Sequence, residues 1–188
     1  QQPQGGALAD YEFWAESVEG IINAYPYTGG PGQVSVYCET TATVLNPDGI
    51  PTPAQLQDVA DAIELDDNGL ASRRPVNALV SVFAITRTGF DVTINGLQAT
   101  NLDALKADLA EAISQYFWSQ APFIAGLTLG TRRDRITTAA VAGAVQDVVS
   151  AYDGIFTSVT TKVTGGDTFT VYPLGEGEKA KSVNVVYN

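Results

Sequence analysis

Residues 3–37 read PQGGALADYEFWAESVEGIINAYPYTGGPGQVSVY, and the reading of the whole chain turns on them. Tyr11, Trp14, Ala15 and Val18 stand at i, i+3, i+4 and i+7, the spacing of a helix that buries an aromatic face. Gly20 stops that helix. Two alternating strands around a glycine-rich turn follow and form the floor for it. Val34, Val36 and Cys38 fall on one side of the second strand, and Ser35, Tyr37 and Glu39 fall on the other. This is a packing motif, and nothing in it does chemistry.

Downstream, Thr40 to Gly49 reads as a polar loop that closes with Asn46, Pro47, Asp48 and Gly49. A helix start follows it: Thr52 as N-cap, Pro53 at the first helical position and Gln55 three after the cap. Leu56, Val59, Ala60 and Ile63 form its buried stripe, and it ends around Asp66 to Gly69. Val76 to Ile85 predicts a strand buried on both faces or central in a sheet. A turn at Thr88 and Gly89 then leads to a second strand, on which Phe90, Val92 and Ile94 alternate with polar residues. Asn101 caps the longest helix, with Leu105, Leu109, Ile113 and Phe117 on its apolar side. A last helix covers Thr138 to Ala151, and Ser182 to Tyr187 closes the chain as a strand.

Between the last two helices lies a connection from Ser119 to Arg135, unusually long and apolar for a loop. Its Phe123, Ile124, Leu127 and Leu129, together with Arg132 and Arg133, are the candidate partner interface. The alternative is a loop tucked back onto its own core. Gly154-Ile155 and Phe169 to Tyr172 also echo Gly20-Ile21 and Val34 to Tyr37, which suggests two related subdomains.

The chain has 188 residues, 45% apolar and 16% charged, with a net charge of -11. That is a globular composition, and its apolar runs fall well short of the ~20 residues of a membrane helix. The acidic balance argues against binding a nucleic-acid backbone, even at Arg132, Arg133 and Arg135. The absence of methionine and the Gln/Pro/Gly start are read as signs of a piece of a longer protein. Cys38 stands alone and reads as a small core residue.

Catalytic readings find little footing. Histidine is absent, so a Ser-His-Asp or Cys-His site cannot be built within this chain. Asp66 with Asp67, and Glu176 with Glu178, are the densest carboxylate pairs, and both read as solvated loop residues. Glu64, Asp66, Asn68 and Gly69 resemble the start of a calcium loop, but the closing glutamate's position is Pro75. Gly29, Gly30 and Gly32 lack the Gly-Lys-Ser/Thr of a phosphate loop and fit a hairpin turn.

The order of these short motifs resembles the baseplate J family, in its C-terminal half. The matching residues are Pro3, Gln4, Gly5, Gly6, Ala9, Tyr11, Trp14, Ala15, Val18, Gly20, Ile21, Gly30, Pro31, Gly32, Val34 and Val36. Arg73, Arg74 and Pro75 before a valine-rich strand fit as well, as does the late helix ending at Gly154 and Ile155. Glu19 departs from the pattern, standing where a proline is common and leaving the shape of that turn open. The resemblance implies a phage baseplate wedge protein, or one from a related contractile injection particle, that surrounds the central hub within a ring of six-fold symmetry.

The expectations are therefore these. The fold is α+β, in two small and possibly duplicated subdomains whose antiparallel or mixed strands pack against helices. Residues 1–7 are a linker from a longer chain, 8–87 a first subdomain and 88–188 a second. The function is that of a structural wedge component joining baseplate subunits around the hub, with no enzymatic activity and no cofactor. Its partners are other baseplate and tail proteins in a six-fold ring, not nucleic acid or membrane. Its location is the virion tail baseplate, assembled in the bacterial host cytoplasm. The alternative is a receptor- or carbohydrate-binding module, which needs exposed aromatic platforms, Tyr25, Tyr27, Tyr172 and Tyr187 being the candidates.

Overall fold

A computed structural model describes residues 6–66 and 68–188. Pro3, Gln4 and Gly5 of the family run, most of the 1–7 linker and Asp67 of the first carboxylate pair lie outside the described residues. The chain divides into two compact units, one reaching Thr86 and the other running from Arg87 to Asn188. The fold is α+β.

In the first unit, helix α1 (Leu8–Glu16) leads into strands β1 (Ile21–Thr28) and β2 (Gln33–Thr40), then helix α2 (Pro53–Glu64) and strand β3 (Leu79–Ala84). Tyr11, Trp14 and Ala15 of α1 are buried, with the Tyr11 and Trp14 rings edge to face at 5.6 Å. They pack with Ile21, Ala24, Val36 and Cys38 of the hairpin and with Val59 and Ile63 of α2. Gly20 has φ +88 and lets the chain turn directly from α1 into β1, so Glu19 does not prevent the turn. The hairpin is antiparallel, from Ile21 opposite Thr40 to Thr28 opposite Val34. At its turn Gly29 N–H donates to the Gln33 carbonyl, which gives the glycines a structural role. Thr52 and Gln55 form the expected capping box at the start of α2.

Strand β3 differs from expectation. It pairs in parallel with β2, from Gln33 opposite Leu79 to Cys38 opposite Ala84, and the sheet order is β1-β2-β3. It is an edge strand, not a central one: Val80 and Val82 face the core, while Leu79 and Phe83 are exposed. An apolar run cannot distinguish these cases, because partner number is decided far away in sequence.

The second unit contains β4 (Thr86–Asn95), α3 (Leu102–Trp118), β5 (Arg135–Thr137), α4 (Thr138–Ala151), β6 (Ser158–Val163), β7 (Val171–Pro173) and β8 (Glu178–Tyr187). One sheet has the order β6-β4-β8, and β5 and β7 form a separate antiparallel pair. Phe90, Val92 and Ile94 of β4, Leu105, Leu109, Ile113 and Phe117 of α3, and Val141, Val145 and Val149 of α4 are its buried core. Phe90 and Phe117 stack at 5.2 Å with 2° between their planes.

Thr88 and Gly89 do not turn the chain. They lie inside β4, and a Cβ on Gly89 would stand 2.6 Å from Cγ2 of Val183 in β8, so the glycine serves close approach of strands. The suggested duplication is not confirmed. Ile155 makes only an isolated bridge with Gln98, and Val171 and Tyr172 pair with β5, so these residues build no counterpart of the β1-β2 hairpin.

Candidate partner-binding surfaces

The connection from Ser119 to Arg135 has a fixed base and an exposed tip. Gln120 and Pro122 are buried, Ala121 N–H donates to the Arg133 carbonyl, and Phe123 N–H donates to the Gly175 carbonyl. On the returning side, Leu174 N–H donates to the carbonyl of Asp134 at 2.7 Å. The Asp134 carboxylate is buried and accepts two hydrogen bonds from the Arg132 guanidinium, the one from Nε at 2.8 Å. Those bonds hold its carboxyl below the usual carboxylate range, against the desolvation that would raise it. Arg132 also stands 5.0 Å from the centre of the half-buried Phe123 ring.

The six candidate residues therefore separate into two groups. Phe123 and Arg132 belong to the base and hold it together. Ile124, Leu127 and Leu129 are exposed, Leu129 at 72%, and so is Arg133. No charged residue occurs from Ile124 to Thr131. Exposed aliphatic side chains with charge only at the rim are the composition of a contact patch.

A second exposed feature escaped the sequence reading. Within the supposed polar loop, Thr43 and Asn46 exchange backbone hydrogen bonds at 2.9 and 3.1 Å across a two-residue turn. Val44 and Leu45 occupy its apex at 98% and 97% exposure. The Asn46 side chain pins the turn by donating to Thr40 Oγ1 and the Ile50 carbonyl and accepting from Ile50 N–H. Paired aliphatics between two turn-forming residues were the available signal.

Helix α1 supplies a third exposed surface. Opposite its buried aromatic face, Glu12 and Phe13 point outward, Phe13 at 61% exposure, while the Glu16 carboxylate reaches back to accept a hydrogen bond from Ala24 N–H at 3.1 Å, and no basic residue stands in the last turn. The Glu12 carboxyl is pushed up by partial burial and then by the like charge of Glu16 one turn on.

Two of the residues considered for chemistry, Asp66 and Glu178, have structural roles. Asp66 accepts from the N–H groups of Asn68 and Leu70 and from Ser72, which closes the end of α2. Glu178 binds Tyr172, Thr88 and the Gly175 N–H. Among the described residues no group of three or more His, Cys, Asp or Glu side chains is placed to hold a metal ion. No described helix is long and apolar enough to cross a membrane.

The tyrosine platforms fail as a group. Tyr27 is buried, Tyr172 packs edge to face on Phe90 at 5.1 Å, and Tyr187 packs against the second core while its hydroxyl donates to the Lys106 carbonyl. Tyr25 is half-buried and donates to Glu39. The rings of Tyr27, Tyr172 and Tyr187 are used inside their own units and do not stand free as platforms.

Comparison with known proteins supports the motif resemblance. Residues 3–84 match the family model of the baseplate J-like central domain, nearly the extent of the first unit. No curated protein matches the chain. Among solved structures, a chain of the anti-feeding prophage (AFP) baseplate, seen by electron cryo-microscopy with 6-fold symmetrisation, is similar with a TM-score of 0.61. That likeness covers 94% of this chain and 37% of the other, at 11% identity. It is a likeness of fold, and this chain spans well under half of that protein's length.

Proposed function

We propose, from the match of residues 3–84 to the baseplate J-like central domain, that this chain is a structural baseplate component of a contractile phage tail or related injection particle. In this reading it is part of the wedge, joining neighbouring subunits around the hub. The family match carries the proposal. The whole-chain likeness in fold to a protein of a 6-fold symmetrised baseplate supports extending it to the second unit and to a ring of that symmetry. The partners are other baseplate and tail proteins, and the location is the tail baseplate of the virion, assembled in the host cytoplasm.

The contact surfaces are the Ile124–Thr131 tip and the Val44–Leu45 turn. Both are held from behind by hydrogen bonds, so little ordering entropy remains to be lost on binding. The chain turns over no substrate and binds no nucleic acid; its acidity and its lack of histidine support both parts of this reading.

The test is capture of the parent protein from producing cells, with mass spectrometry of what accompanies it. Recovery of sheath-proximal and hub proteins is expected. Recovery of the parent alone refutes the wedge role.

A further inference from the structure

We propose that the groove between α2 and the outer edge of β3 takes an extended apolar segment of a different protein, flanked by lysine or arginine, as a fourth strand of the first unit's sheet. This surface is separate from the arm and from the Val44–Leu45 turn, and the inference depends on neither.

The edge has unused backbone groups. Leu79 N–H donates to the Gly32 carbonyl and Ile85 N–H to the Cys38 carbonyl, so the odd-numbered positions of β3 turn their peptide groups toward β2. Val80, Val82 and Ala84 turn theirs the other way, where no strand pairs with them among the described residues. Proteins blunt such edges with proline, charge or a bulge. The opposite edge has two of these devices, Pro26 within β1 and a register shift between Ile21 and Asn23. Strand β3, LVSVFA, has no charge and no proline, and its register against β2 is unbroken from Leu79 to Ala84. Such a row of amides and carbonyls is complementary to another extended backbone.

Beside the edge, Ala60 and Ile63 of α2 and Leu79, Val80 and Val82 of β3 line a hollow of about 110 Å³, room for one aliphatic side chain. Glu64 and Arg74 also line it, and at 3.1 Å they neutralise each other, so the hollow suits an apolar group. Successive residues of an added strand point to alternate faces. One set enters the hollow, and the other lies beside the exposed Leu79 and Phe83.

The flanking charge follows from an imbalance between the units. Residues 1–86 hold eleven acidic and two basic side chains, a net charge of -9 (2 − 11), against -11 for the whole chain. Asp58, Asp61 and Glu64 succeed one another at three-residue spacing on α2, with Asp58 and Asp61 exposed. The unit's two arginines are directed elsewhere: Arg74 donates to Glu64 and the Ala78 carbonyl, and Arg73 to the Ala62 carbonyl. Lysine or arginine at the ends of the segment is therefore attracted, whereas a second copy brings another -9 and a strand without charge, and is repelled.

The test titrates the nitrogen-15-labelled 188-residue chain with the peptide acetyl-Lys-Val-Thr-Val-Thr-Val-Lys-amide, up to about 2 mM. Saturable shifts of the Val80, Val82 and Ala84 amides are expected, with a Kd below about 1 mM that rises with added salt. The same peptide with glutamate for both lysines is expected to bind at least roughly tenfold more weakly. With glycine for the five central residues, binding is expected to be lost although the charge is kept. Ala60→Phe fills the hollow and is expected to weaken binding roughly tenfold, while D58K/D61K reverses the preference between the lysine and glutamate peptides. Circular dichroism checks that both variants are folded, and the peptide series stands without them. Silent Val80, Val82 and Ala84 amides overturn the proposal, as does equal binding of the glutamate or glycine peptide. Shifts of these amides with protein concentration alone assign the edge to a second copy and overturn it too.

Discussion

Replacing Phe117 with alanine tests whether the second unit is built around one aromatic stack. Phe117 is fully buried, lies parallel to Phe90 and sits on the α3 stripe with Leu105, Leu109 and Ile113. Truncating such a side chain removes its burial and leaves a cavity, which together cost about 3–5 kcal/mol. A domain of this size has roughly 5–15 kcal/mol of stability, so the loss is a large fraction of the total. With a urea slope of about 1.5 kcal/mol per molar, the midpoint falls by roughly 2–3 M. The assay follows tryptophan fluorescence. The chain has two tryptophans, Trp14 in the first unit and Trp118 in the second, the latter with the Arg87 guanidinium 3.8 Å from its ring centre. In a Trp14→Phe background the signal comes from Trp118, next to the substitution. Phe117→Leu keeps much of the volume and is expected to lose about a third as much. A midpoint shift below about 0.5 M for Phe117→Ala refutes the assignment of the stack as the centre of this core.

Three further outcomes are expected. Asn46→Ala removes the acceptor of Ile50 N–H and two donors, so hydrogen exchange at Ile50 quickens roughly tenfold, and unchanged protection refutes the pinned turn. Stability falls in acid. Asp66 and Asp134 are held below 3.8 by hydrogen bonds; burial alone would raise Asp91, but Thr164, Asn184 and Lys162 more than reverse this. Depressed native values stabilise fully above the unfolded value near about 4 and lose that contribution as pH falls through them. Urea midpoints between pH 7 and 3 should therefore stay level at first and drop below about 4, less steeply in Asp91→Asn. Finally, burial, and secondarily the charge of Glu16, push the Cys38 thiol up to about 12. It should be inert to an aromatic disulfide reagent at pH 8 in the folded chain and react fully once unfolded; reaction in the folded chain contradicts the buried position.

Local signals were legible and distant ones were not. Thr52 with Gln55, and Asn101 at the head of α3, act within one turn, so helix starts followed from adjacent residues. The faces of β2 and α3 followed from periodicity alone. The edge position of β3 did not, because its only partner among the described residues is β2. Gly89 was read as a turn for the same reason: the Val183 side chain that occupies the space of its missing Cβ belongs to β8. At the arm, composition located the exposed Ile124, Leu127 and Leu129. It also drew in Phe123 and Arg132, whose tasks depend on Gly175 and Asp134. Turn-forming neighbours hid Val44 and Leu45, since polar flanks say nothing about which side chains occupy an apex.

The parallel pairing of β3 also governs when the first unit can be completed. Thr28 meets Val34 six residues on (34 − 28), whereas Gln33 meets Leu79 across 46 (79 − 33). Closing the longer loop carries a larger entropy loss before any contact rewards it, so the hairpin can form early while the sheet waits for α2 and β3. On the ribosome, synthesis at about 5–20 residues per second separates these events by several seconds. During that interval the outer edge of β2, with Val34, Val36 and Cys38 beside it, lacks its native neighbour. This is the period in which the nascent chain most needs protection from pairing with another strand.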